Sequence, residues 1–118
     1  PLAEPFERHG QRPKFVEIRS QHKLLETLTA ELDRVKRLGI LEIGIVCKDH
    51  REVSLVYEGL VKAGVSDVSE ITDETPTISA GVSVLPIAIA KGLEFPWVIM
   101  PNVSAKQFST IQDLIGTP

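Results

Sequence analysis

Cysteine occurs once in 118 residues, at position 47. That excludes an internal disulfide and any zinc site built on cysteines. Cys47 reads as a small apolar residue closing a buried strand, in preference to a catalytic thiol. Aromatic residues make up only 5% of the chain, too few for a platform on which bases could stack, so Trp97 reads as core. No apolar run approaches the roughly 20 residues a membrane span needs. No secretory leader is expected either. The expectation is a soluble, cytoplasmic protein with no membrane partner. Arginine is absent after Arg51, and positive charge thins with it. Residues 1–51 carry ten Lys/Arg against eight Asp/Glu, whereas residues 52–118 carry three against eight. A protein that binds nucleic acid unaided usually presents a basic surface. The one weak cluster, Arg8, Arg12, Lys14, Arg19 and Lys23, reads as a solvated face. The chain starts with Pro1 and not Met, which suggests a piece of a longer protein.

What is present suits one packed domain. Hydrophobic residues make up 42%, enough for a core, and charged residues 25%, an ordinary globular share. Residues 1–13 hold Pro1, Pro5, Gly10 and Pro13 and read as an irregular entry segment. Residues 15–19 alternate apolar and polar, as a strand does. Over residues 21–38, Leu24, Leu25, Leu28, Leu32 and Val35 recur at helical spacing, with Ser20 as a candidate N-cap and Gly39 as a stop. Residues 40–46 are rich in Ile and Val and suit a strand buried on both faces. Asp49 and Glu52 have the spacing of a capping box at the head of a second helix, which Gly64 ends. Further strands are predicted over 68–71, 82–87 and 97–100, with a loop over 72–79. Strands alternating with helices predict an α/β fold, a parallel sheet flanked by helices and joined by right-handed crossovers. Ligands of such folds lie at the carboxyl ends of strands, which directs attention to the residues after Val46 and after Ile87.

The second of these segments carries the chemistry. Ala88, Ile89, Ala90, Lys91, Gly92, Leu93, Glu94 and Phe95 are followed by Pro96, Trp97, Val98 and Ile99. A glycine here lets backbone approach a ligand, and its N–H could donate to a phosphate oxygen. Glu94 offers two acceptor oxygens to two ribose hydroxyls. The string from Lys91 to Phe95, with Val98 and Ile99 after it, resembles motif V of the UvrD/Rep superfamily 1 DNA helicases. A second stretch, Ile43 to Val46 with Cys47, Lys48, Asp49 and His50, resembles motif IV of the same family. The opening Pro5 to Gly10 and Pro86 give the resemblance the flavour of the HelD, or helicase IV-like, branch.

The resemblance covers about residues 14–103. It implies that residues 14–118 are the second, C-terminal RecA-like domain of such a motor, a three-layer parallel sheet of the P-loop NTPase type without its own P-loop. It further implies an ATP site completed by Lys48, Arg51, Lys91, Gly92 and Glu94. Gly92 would approach the terminal phosphate, Glu94 would hold the ribose, and Lys91 would orient the turn. Lys48 stands where the family has an arginine reaching for the γ-phosphate, and Arg51 could substitute for it. The partners implied are the N-terminal RecA-like domain of the same protein, which holds most of the ATP and its Mg2+, and single-stranded DNA.

Three departures qualify that picture. Pro86 and Ala88 stand where motif V has the Thr and His that touch DNA, and neither side chain donates a hydrogen bond. The arginine of motif VI has no counterpart, since none follows Arg51. No Gly-x-x-x-x-Gly-Lys-Ser/Thr string occurs, so no phosphate cradle is present. The fragment alone is therefore expected to be inactive as an ATPase. The acidic second half and the missing DNA-contact groups also suit a module that docks on a protein such as RNA polymerase. A third reading, a stand-alone small-molecule or signalling domain, takes the motif V likeness as accidental. His9, His22 and His50 are scattered and read as surface residues. Asp67, Glu70, Asp73 and Glu74 lack the spacing of a calcium loop and read as a solvated face.

Overall fold

The computed structural model describes residues 14–18, 23–72 and 80–101. The expected N-cap Ser20 and most of the 72–79 loop lie outside the described residues. Five strands and three helices follow in order: β1 (Lys14–Ile18), α1 (Leu24–Arg37), β2 (Glu42–Cys47), α2 (His50–Lys62), β3 (Val68–Glu70), β4 (Gly81–Pro86), α3 (Ile87–Ala90) and β5 (Trp97–Pro101). The strands form one sheet in the order β1-β5-β2-β4-β3, and every pairing is parallel. The α/β reading of the sequence therefore holds.

Local chemistry accounts for the elements. In α1, Leu28, Leu32 and Val35 are buried, and in α2, Val53, Val56 and Leu60, each set spaced to share one helix face. Both helices end as their glycines predict. Gly39 donates to the Lys36 carbonyl and Ile40 to that of Val35, while Gly64 donates to Val61 and Val65 to Leu60. These pairs satisfy carbonyls that the last helical turn leaves open. At the start of α1, Lys23 occupies the cap position without a side-chain cap bond.

Alternation along the strands sorts the core into two faces. Ile43, Ile45 and Cys47 of β2, Val82 and Val84 of β4, and Trp97 and Ile99 of β5 pack with α1 and α2. Val46, Leu85, Val98 and Met100 pack on the other face with Ala90 of α3 and with Phe95. Full burial of each Ile or Leu here contributes roughly 1.5–3 kcal/mol. The three central strands are buried on both sides, as their near-continuous apolar runs demand.

This arrangement has a functional consequence. The chain leaves β2 toward the face that carries α2, and leaves β4 toward the face that carries α3. β2 and β4 are neighbours, with Cys47 level with Pro86. Connections that diverge from adjacent strand ends open a crevice between them, the usual ligand position in parallel sheets.

Candidate functional site

One expectation at this edge needs correction. Strand β4 stops at Pro86, one residue before the expected end at Ile87, and Ile87 to Ala90 form a single helical turn. Pro86 has no N–H to extend a ladder, and its extended backbone starts the helix instead. The Lys-Gly turn thus follows a short helix, not a strand end.

Residues 91–96 carry the chain back across the sheet toward the start of β5. Both ends of this stretch are anchored. Ala90 is fully buried, Phe95 is 3% exposed, and Leu93 packs partly against the same cluster. Lys91, Gly92 and Glu94 are exposed between these anchors. Leu93 donates to the Ala90 carbonyl at 3.1 Å. Gly92 donates to Ile89 at 3.3 Å, so the N–H expected to meet a phosphate already has a partner within the chain. What Gly92 offers is the lack of a side chain. A Cβ built there meets nothing within 4 Å, and its backbone is outside the left-handed region. Among the described residues, then, nothing internal requires glycine at 92. Glu94 makes no hydrogen bond or ion pair with the described residues, which leaves both carboxylate oxygens available to donors from outside.

The end of β2 is built differently. The Asp49 side chain accepts the Glu52 N–H at 2.9 Å, and the Glu52 carboxylate accepts the Lys48 N–H at 2.9 Å. The expected cap is present, with Glu52 reaching one residue further back than a capping box does. Two carboxylates therefore occupy the positive end of α2, and an incoming anion would meet them there. The cations at this end are the side chains of Lys48 and Arg51, both exposed and neither paired with a described residue. Cys47 is buried. Burial first, then Glu52 and Asp49, push its thiol far above the ordinary range, so it stays protonated and inert at neutral pH.

The fold brings some of the five sequence candidates together and separates others. Lys48 leaves the sheet beside the start of α3. Lys91, Gly92 and Glu94 lie on the α3 face. Arg51 rides on α2, which packs against the opposite face. Glu94 lies below the sheet edge, since its neighbour Phe95 sits on Gly44, three residues or about 10 Å short of Cys47. Of the remaining residues weighed, Trp97 is core as expected, 9% exposed, with the Arg34 guanidinium 5.7 Å from its ring centre. Glu70 accepts from Ser54 Oγ at 3.0 Å and Asp67 pairs with Lys36 at 2.7 Å, so these two acids stitch the edge of the fold together. No helix among the described residues is long and apolar enough to cross a membrane.

No family model matches the chain, and no curated protein is similar to it. Among solved structures, it is similar to the C-terminal domain of a possible DNA helicase from Lactobacillus plantarum WCFS1. The identity is 24%, the match covers 93% of this chain and 68% of that chain, and the TM-score is 0.66. That likeness establishes the fold as a RecA-like parallel α/β domain.

Proposed function

We propose that this domain is the second motor half of a superfamily 1 ATP-dependent DNA helicase of the UvrD/HelD kind, completing an ATP site that a first RecA-like domain supplies. One observation carries the reading. The turn from Lys91 to Glu94 exposes a bare glycine that nothing described in the fold requires, next to an exposed carboxylate with no partner among the described residues. A glycine kept free of internal demand suits a surface that something else must approach closely. The carboxylate suits two hydroxyl donors on one sugar.

The residues present fit the sugar and terminal phosphate of a nucleotide whose remainder is held elsewhere. Glu94 accepts from the ribose, Gly92 makes room, and Lys91 and Lys48 supply positive charge at the crevice. Arg51 contributes only if the phosphate reaches the α2 side of the sheet. On this reading the Mg2+ that neutralises the phosphates would be held by the first domain. ATP supplies the free energy of phosphoryl transfer, and this domain holds and orients it.

Two measurements test the reading. The isolated chain should show no ATP turnover while the protein that contains it does, and turnover by the chain alone would remove the two-domain site. In the same protein, Gly92→Val should leave stability within about 0.5 kcal/mol, as exposed substitutions do. Its kcat/KM for ATP should fall about tenfold or more, because a branched side chain then stands where the ligand approaches. An unchanged kcat/KM would contradict the proposed role.

A second reading has its own observation. Pro86 is buried and Ala88 exposed, and neither side chain offers DNA a donor. A HelD-like module that docks on RNA polymerase or another protein, without direct DNA contact, suits that surface. Capture by immobilised polymerase, set against capture by single-stranded DNA, separates the two. Retention on DNA alone favours the motor, and retention on polymerase alone favours docking.

A further inference from the structure

Among the described residues the Lys91-to-Glu94 turn has no ion pair or strand pairing of its own, yet it must hold a carboxylate in register with a sugar. Its fixed points lie on the underside. Phe95, next to Glu94, is inserted into the α3-side core, and its ring lies directly on the backbone of Gly44 in β2. A Cβ at position 44 would stand 2.7 Å from Phe95 Cδ2, 2.8 Å from Cγ and 3.0 Å from Cε2. A contact that tight leaves no room for even a methyl group. Ser83, beside Gly44 on β4, keeps the same floor shallow. Gly44 also lies on the strand that ends at Cys47 and delivers Lys48. One contact therefore ties together two segments 51 positions apart in sequence, each bearing a candidate ligand group.

We infer that Gly44 is a positioning residue for the nucleotide site: it forms the socket for Phe95 and so fixes the height of Glu94 and its offset from Lys48. The inference rests on the ATP-site reading above. Adding one methyl at position 44 lifts the ring, and the lift passes through a single peptide unit to Glu94. Shrinking the ring should undo it.

The experiment uses the whole motor protein carrying G44A, F95L, both together, or E94A, with KM and kcat for ATP measured on each. Amide exchange at Gly92 and Leu93 reports the turn itself. G44A is expected to raise KM about fivefold with kcat changed less than about twofold, the pattern of a ligand group displaced without loss of chemistry. The double variant should return KM to within about twofold of the parent value, which a merely destabilising mutation would not permit. A folded G44A with unchanged KM, or a double variant as impaired as G44A, overturns the inference. If G44A does not fold, F95L alone decides: a raised KM with faster exchange at Leu93 supports the socket, and no change in either overturns it. If E94A leaves KM unchanged, the ATP-site reading fails separately. The socket is then judged by exchange, with faster exchange in G44A and rescue in the double variant supporting it, and unaltered exchange overturning it.

Discussion

Replacing Glu94 by alanine in the motor protein is expected to raise the KM for ATP by about 10- to 100-fold and to leave kcat nearly unchanged. The size follows from the bonds removed. A hydrogen bond to a charged acceptor is worth roughly 1.5–3 kcal/mol when its partner would otherwise be desolvated and unpaired. The split follows from the chemistry. The ribose is remote from the reacting phosphate, so Glu94 holds ground state and transition state alike, and losing it weakens binding uniformly. Stability should not change, because Glu94 is exposed and bonded to nothing described. A second signature belongs to the sugar. The parent protein should prefer ATP to its 2′-deoxy analogue, and the Glu94→Ala variant should lose that preference. Steady-state kinetics with both nucleotides reads the two effects together. Retained discrimination would mean that some other group reads the ribose.

The largest loss of stability from a single methyl is expected at Gly81, by about 2–4 kcal/mol on conversion to alanine. Gly81 opens β4 with φ of 114°, a conformation that L side chains rarely adopt. A Cβ there would also collide with the Asp67 carbonyl oxygen, which accepts the Val82 N–H at 2.8 Å. The Gly81 N–H in turn donates to Leu41 at 2.8 Å, so strain at this corner reaches the entries of β2, β3 and β4 at once. Against a total stability of roughly 5–15 kcal/mol, such a loss takes a large share. Urea titration of the isolated chain measures it as a lowered midpoint with unchanged slope. A midpoint shift below about 0.5 kcal/mol would show that the corner relaxes freely.

Where the sequence is informative, its signals are local. Apolar residues at helical spacing place α1 and α2, glycines at 39 and 64 stop them, and Asp49 three residues before Glu52 starts the second. Runs of Ile and Val mark the buried strands within one or two residues. What fails is also local. The strand expected to run to Ile87 ends at Pro86, and Ile87 instead opens a helical turn with Ala88, Ile89 and Ala90, two of which are strong helix formers. The site divides along the same line. Lys91, Gly92 and Glu94 stand out as a string, and the fold exposes them as a group. That the Gly92 N–H is committed to Ile89, that two carboxylates cap α2 beside Lys48, and that Arg51 rides on the far face are facts of three-dimensional placement. The Gly44 socket is least legible of all. A glycine inside an apolar strand gives no hint that its filler is a phenylalanine 51 residues away.

The claim beneath all of this is spatial: bound ATP turns its sugar toward residues 91–96 of this domain. Irradiating the motor protein with a benzoylbenzoyl-ATP, whose reactive group hangs from the ribose, and sequencing the labelled peptides tests that directly. The account predicts label on the peptide containing Glu94, suppressed by excess ATP. ATP-competed label confined to other peptides would contradict it.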